Sequence, residues 1–160
     1  MKIHLLRHAK TNQTSPTGND FDRELLPKGF QQCMLLKCYL SDKIEKDCLI
    51  FVSSSERTKQ TASLILNQLS LSNTNYLKEL YLMDGIKMLA FVNQLNTPKD
   101  ICIIGHNEGI SEFASYIIDE QITLKTGGYV CVKIPFSTSS FLSKSTGSVI
   151  DFYRPDVVND

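Results

Sequence analysis

Two arginines and two histidines stand where apolar runs of this chain end. Arg7-His8 follows the run Ile3 to Leu6, Ser53-Ser54-Ser55-Glu56-Arg57-Thr58 follows a second run at 48–52, and Gly105-His106-Asn107-Glu108-Gly109 follows a third at 101–104. A guanidinium is a planar, permanently charged fork that matches pairs of phosphoryl oxygens, and charge-assisted hydrogen bonds are about twice as strong as neutral ones. A neutral imidazole is nucleophilic near neutral pH without a base to deprotonate it. The pattern therefore suits a site that grips a tetrahedral dianion and attacks its phosphorus. His8 reads as the nucleophile, with one ring nitrogen presented and the other held by a backbone carbonyl in segment 9–11. Arg7 and Arg57 read as the clamp. A cation in the first turn of a helix is disfavoured by the helix dipole, which makes a ligand-directed role for Arg57 the better reading. His106 reads as a donor to a phosphoryl oxygen in the transition state, with Gly105 and Gly109 permitting close backbone approach around it. Ser53, Ser54 and Ser55 read as helix caps, one of whose hydroxyls could also reach a phosphate. Asn107 is a candidate for substrate contact, although shaping the turn is the simpler role.

The elements that must position these groups follow from period and punctuation. Strands are expected at 2–6, 48–52, 76–77, 101–104, 129–134 and 148–152. Helices are expected from Pro27 to about Leu40, where Phe30, Met34, Leu35, Cys38 and Tyr39 recur at helical spacing, and over 56–69, 84–95 and 108–118. Segment 9–26 is rich in Asn, Thr, Asp and Ser and reads as loop, the Ser/Thr-rich segment 137–148 as a flexible connection, and Lys125-Thr126-Gly127-Gly128 as a turn near the pocket. Alternating strands and helices predict an α/β fold: a three-layer sandwich with a mostly parallel sheet and helices on both faces. Ligands of such sheets bind outside the carboxyl ends of the strands, where all three motifs fall.

Composition narrows the functional classes. The 160 residues read as a single domain, 1–160, with 42% hydrophobic and 21% charged residues and no net charge. No large basic face is expected, hence no nucleic-acid or anionic-lipid partner, and an anion site must come from a few convergent cations. No apolar run approaches the ~20 residues of a membrane span, and the start Met1-Lys2 lacks the form of a secretory leader. Cys33, Cys38, Cys48, Cys102 and Cys131 read as buried free thiols of a reducing cytoplasm. None begins a Cys-x5-Arg loop, and neither a GxGxxG nor a GxxxxGK[ST] loop occurs. His4 reads as a core histidine. No metal or other cofactor is implied, since His4, His8 and His106 lack a fourth ligand and metal-type spacing.

Arg7-His8, Arg57-Thr58-x-Gln60-Thr61-Ala62 and Gly105-His106-Asn107-x-Gly109, in this order and context, resemble the histidine phosphatase superfamily with its phosphoglycerate mutase-like fold, and the short length resembles its SixA-like phosphohistidine phosphatase branch. The resemblance runs over roughly residues 1–152. It implies a phosphatase that works through a covalent phosphohistidine on His8, with Arg7, Arg57 and His106 completing the site. It also implies an Asp-x-x-Arg-Pro-Leu segment, which appears here as Asp20-Phe21-Asp22-Arg23-Glu24-Leu25, with Glu24 in the place of proline. Arg23 then either lines the substrate entrance or forms a salt bridge. The same aspartates superficially resemble those of haloacid-dehalogenase-type phosphatases, but no apolar strand precedes them.

Members that cleave esters use an acid to protonate the leaving alkoxide, for which Glu79 and Asp84 are the candidates. The SixA-like branch is expected to dispense with a strong acid. An imidazole departs more readily than an alkoxide, whose parent alcohol has a pKa near that of water, about 15.7. The expected substrate is thus protein phosphohistidine, on a partner such as a histidine phosphotransfer domain. The alternatives are a small phosphorylated molecule, or a phosphate-binding module without turnover.

Overall fold

The computed structural model describes residues 1–66 and 74–156. Within them the chain forms β1 (Lys2–Arg7), α1 (Pro27–Leu40), β2 (Leu49–Ser53), α2 (Glu56–Leu66), β3 (Thr74–Leu77), α3 (Gly85–Leu95), β4 (Ile101–Gly105), α4 (Asn107–Ile118), β5 (Tyr129–Lys133) and β6 (Ser148–Tyr153). The expected continuation of α2 over 67–69 lies outside the described residues. These strands form one sheet in the order β3-β2-β4-β1-β5-β6. Strands β3, β2, β4 and β1 are parallel, β5 runs antiparallel to β1, and β6 antiparallel to β5.

The period-two alternation of strand side chains sorts the core into two layers. Ile3, Leu5, Ile101 and Ile103 join Met88, Val92, Phe113 and Ile117 of α3 and α4 on one face. Leu6, Ile50, Val52 and Ile104 join Cys33, Leu36, Ala62 and Ile65 of α1 and α2 on the other. Central β4 is buried along its whole length, which is why it reads as an unbroken apolar run. The three-layer α/β sandwich is the expected one.

Four local expectations need correction. The core face of α1 is Gly29, Gln32, Cys33, Leu36 and Leu40, whereas Phe30, Met34 and Leu35 are exposed. Both stripes have helical spacing. The one containing Gln32 wins because its amide is satisfied inside, accepting from Lys10 N at 2.8 Å and donating to Thr126 O at 3.1 Å. Cys38, expected to be buried, is exposed on that outer face, while the other four thiols are buried and all five are free. Segment 137–148 is held rather than loose: Ser139 and Leu142 are buried, and Asn93 of α3 exchanges two hydrogen bonds with Leu142 at 2.9 and 3.0 Å. Segment 9–26 contains a 3-10 turn, Asp20–Asp22, and its ends are joined by a bridge between Thr11 and Leu25.

The reversed direction of β5 serves the site. After α4 the chain runs back to the carboxyl edge of the sheet before entering β5. There Arg7 N donates to Gly128 O and Gly127 N to His8 O, both at 3.0 Å. The 125–128 turn is thereby docked on the end of β1.

Candidate active site

Strands β2, β4 and β1 are parallel neighbours, so their carboxyl ends meet at one edge. That edge delivers Arg7 and His8 from β1, Ser53 and Arg57 from β2 and the start of α2, and His106 as the N-cap of α4. His8 N donates to Gly105 O at 3.0 Å, locking the β1 and β4 ends together. Arg7, His8, Arg57 and His106 line one cleft of about 700 Å³. The N-terminus of α4 points into it, with the partial positive charge and free amides that suit an anion. Gly109 lets this happen: a Cβ there would lie 1.8 Å from the Met83 carbonyl oxygen, so only glycine permits the first turn of α4 to approach the 83–84 backbone.

His8 is almost buried, and its Nδ1 lies 2.8 Å from the Ala9 carbonyl. A carbonyl only accepts, so Nδ1 carries the proton and Nε2 the lone pair. The held nitrogen is Nδ1, and the carbonyl that holds it falls within the expected segment 9–11. Burial pushes the His8 pKa down to about 3, with His106, Arg57 and Arg7 adding to the effect and the Ala9 bond opposing it. His106 packs edge-on against His8, with ring centroids 5.3 Å apart. Its Nε2 is 2.9 Å from Ser53 Oγ and its Nδ1 3.4 Å from Arg57 Nη2. Arginine only donates, which places the His106 proton on Nε2, facing Ser53. Burial, then Arg57, lowers the His106 pKa to about 4 against the opposing pull of Asp20. Both rings are neutral at pH 7.

Arg57 is buried, with 3% of its side chain exposed. Its Nη1 donates to the Asp20 carbonyl at 2.5 Å and its Nη2 to Asp20 Oδ2 at 2.8 Å. Arg7 Nη1 donates to the Leu124 carbonyl at 2.8 Å. The Nε–H of each arginine is buried and lacks a partner among the described residues. Orphaned buried donors are uncommon in folded proteins, and both of these belong to arginines that line the cleft.

The remaining candidates divide. Arg23 lines the cleft and also pairs with Asp20 at 2.7 Å, so both sequence readings describe it. Asn107 lines the cleft and accepts from Ser111 Oγ at 3.0 Å; Ser111 Oγ in turn accepts from Leu124 N, and the Leu124 carbonyl holds Arg7. Glu79 is exposed on the 3-10 turn Lys78–Leu80 and is absent from the cleft lining, a departure from its candidacy as a substrate-contacting acid. The strand before it delivers the Ser54 contact with the Leu77 carbonyl at the sheet edge instead. Asp84 does line the cleft, but it caps α3 by accepting from Lys87 N at 2.8 Å and pairs with Lys87 Nζ at 3.1 Å. These contacts hold its carboxyl below the usual range, so it is an anion at neutral pH.

Two groups carry more than the sequence reading gave them. Ser53, read as a cap, is fully buried and holds His106. Tyr81 reads in the sequence as one more apolar residue after Leu80, yet it touches Asp20, Arg57 and His106. His4 is the core residue expected: Nδ1 meets Tyr129 OH at 2.8 Å, and burial lowers its pKa to about 4. Among the described residues no three His, Cys, Asp or Glu side chains cluster as metal ligands, and no helix is long and apolar enough to cross a membrane.

The three lowered histidines make stability depend on pH. The unfolded chain takes up protons below pH 6.5 that the folded chain refuses until about pH 4 or below. The stability they support is therefore complete above pH 6.5 and is withdrawn as pH falls, at up to about 1.4 kcal/mol per unit for each ring. Urea unfolding at pH 7 and pH 5 is expected to differ by on the order of 5 kcal/mol. An unchanged midpoint would contradict these environments.

A parallel α/β edge bearing two forked cations and two neutral imidazoles is suited to gripping a phosphoryl group. The model of the histidine phosphatase superfamily (branch 1) matches residues 3–88, and the chain belongs to that superfamily. Its fold is similar to that of the proposed phosphohistidine phosphatase SixA of Agrobacterium tumefaciens (TM-score 0.81, 22% identity, covering 96% of this chain and 97% of that one). It is also similar to the protein histidine phosphatase SixA complexed with tungstate (TM-score 0.77, 19% identity, 95% and 96% covered). A third likeness is to the phosphoserine phosphatase of Entamoeba histolytica in complex with 3-phosphoglyceric acid (TM-score 0.67, 13% identity, 96% and 97% covered). No curated protein matched the sequence. Family and fold together support a phosphatase.

Proposed function

We propose that the chain, acting as one domain, hydrolyses the phosphorus–nitrogen bond of a phosphorylated imidazole, foremost a phosphohistidine on a partner protein. His8 Nε2 attacks phosphorus, the bond to the leaving nitrogen breaks, and that nitrogen takes a proton from solvent. Water then attacks the phosphohistidine formed on His8 and releases inorganic phosphate. Arg7 and Arg57 hold the oxygens and stabilise the charge that develops on them, and His106 joins them once its Nε2–H turns from Ser53 to a phosphoryl oxygen.

The observation that carries this reading is the state of His8: Nδ1 is tied to Ala9, leaving an unprotonated Nε2 in the same cleft as two arginines whose buried Nε–H groups lack partners among the described residues. The two carboxylates expected as acids support the choice of substrate, while Glu108 and Glu112 also line the cleft, Glu112 accepting from Gly85 N at 2.9 Å. Glu79 lies outside the cleft lining and Asp84 is engaged by Lys87, so neither of the two expected acids is placed and free to protonate an alkoxide. A phosphorylated imidazole needs that help least. Five free thiols support a reducing compartment such as the cytoplasm. A partner bearing the phosphohistidine, such as a phosphotransfer domain, fits the same reading.

The test is a comparison of kcat/KM on a phosphohistidine peptide and on a simple alkyl phosphate. Because general acid assistance contributes roughly 10²–10⁴-fold, the peptide is expected to be preferred by at least about 10². Preference for the ester would favour the small-molecule reading. Phosphate binding without turnover of either would favour a binding module.

A further inference from the structure

Tyr81 follows the 3-10 turn Lys78–Leu80, and its side chain reaches three groups of the site at once. Its hydroxyl donates to Asp20 Oδ2 at 2.6 Å, the oxygen that also accepts from Arg57 Nη2. Its ring meets His106 edge-on, with centroids 5.3 Å apart and planes at 90°. The Arg57 guanidinium carbon lies 5.7 Å from the same ring, within cation–π range. Phe21 closes the outer side of the ring at 4.9 Å. No other residue outside the tetrad combines contact to Asp20, Arg57 and His106 among the described residues.

Asp20 is the link. Its carbonyl and Oδ2 take both terminal nitrogens of Arg57, and its Oδ1 takes Arg23 Nη1 at 2.7 Å. These bonds occupy the outer edge of the Arg57 fork. The edge left over contains Nε–H, the donor that is buried without a partner, and a second Nη2–H whose only contact is the long one to His106. A guanidinium is rigid and planar, so fixing one edge sets the direction of the other. Asp20 therefore aims Arg57 rather than competing for it. Tyr81 bears on the Asp20 oxygen nearest the fork and, by its ring, on the imidazole beside it. Asp20 stays ionised at any working pH, the Tyr81 hydroxyl being the foremost cause, and Tyr81 remains a donor because burial raises its own pKa.

We infer that Tyr81 is a positioning residue of this site: through Asp20 it sets the orientation in which Arg57 presents its free edge to the phosphoryl group. This rests on the phosphoryl-transfer reading above. The hydroxyl contributes a hydrogen bond to a charged group, of the kind whose loss lowers an equilibrium by about tenfold or more.

The experiment uses the full chain as wild type, Tyr81→Phe, Asp20→Asn and the double variant. Phosphoramidate turnover and inorganic phosphate binding by calorimetry are measured on each. Tyr81→Phe keeps the ring contacts and removes only the bond to Asp20, so it is expected to lower kcat by about tenfold with little change in KM or in melting temperature. In the Asp20→Asn background the same change is expected to have almost no further effect, because both act on Arg57 through one link. Unchanged kcat in Tyr81→Phe, or losses that multiply in the double variant, would overturn the inference while leaving the functional reading intact. Wild-type protein that neither binds phosphate nor hydrolyses phosphoramidate would overturn both together.

Discussion

His8→Ala is expected to abolish the covalent phosphoenzyme and to lower kcat on phosphoramidate by about 10⁴-fold or more, as loss of a nucleophile does where residues act as a unit. Alanine removes the proposed nucleophile, an imidazole with Nδ1 tied to Ala9 and a pKa lowered to about 3. Arg7, Arg57 and His106 do not depend on the His8 side chain for their hydrogen bonds, so phosphate binding is expected to survive. The loss should thus fall on kcat, with Kd for inorganic phosphate moving little. After a rapid quench, wild-type protein treated with labelled phosphoramidate should hold label that is acid-labile and base-stable, and the variant none. Label persisting in His8→Ala would transfer the nucleophile's role to His106. The lowered pKa adds a signature. His8 is already unprotonated well below neutrality, so phosphoenzyme formation should not fall off near pH 6.5 as it would for an unperturbed histidine.

Arg57→Lys is expected to lower kcat by about 10²–10³-fold, the range seen when one donor to a developing oxyanion is lost. The substitution keeps the charge, so any deficit reports geometry. Lysine offers a single ammonium on a flexible stem, whereas Arg57 gives one edge of its fork to Asp20 and keeps on the other an Nε–H without a partner among the described residues. Lysine cannot serve the Asp20 carbonyl, the Asp20 carboxylate and a phosphoryl oxygen together. Because Arg57 is buried, some stability is expected to go with it, and a melting curve recorded beside the kinetics separates the two effects. Near wild-type kcat in Arg57→Lys would mean that charge alone suffices there and that Arg7 carries the oriented contacts.

The site was legible to unequal depth along the chain, for reasons visible in particular residues. Arg7-His8, Arg57 and His106 were readable because each follows an apolar run. In a parallel sheet the ends of neighbouring strands must lie together, so sequence order becomes spatial proximity. The bond that holds His8 was legible only as a carbonyl somewhere in segment 9–11, and the fold decided that it is Ala9's. Glu79 illustrates the opposite case: its type and place made it a candidate acid, and the direction of a 3-10 turn put it outside the cleft lining. The packing stripe of α1 was misjudged for a related reason. Two apolar stripes share one period, and only the partners of Gln32 distinguish inside from outside.

By itself, the sequence determined the α/β sandwich, the edge at which the three motifs meet, and the four groups that stand there. These depend on hydrophobic period and on residues adjacent to strand ends, both written locally. The tertiary structure alone decided that Ser53 holds His106, that Tyr81 bears on Asp20, and that Asp20 fills one edge of Arg57. It also decided the reversed entry of β5 that docks the 125–128 turn onto His8. Each of these contacts joins residues 37 to 119 positions apart, far beyond any helical or strand period. No local pattern encodes such a pair; it exists only once packing has brought two elements to hydrogen-bond distance.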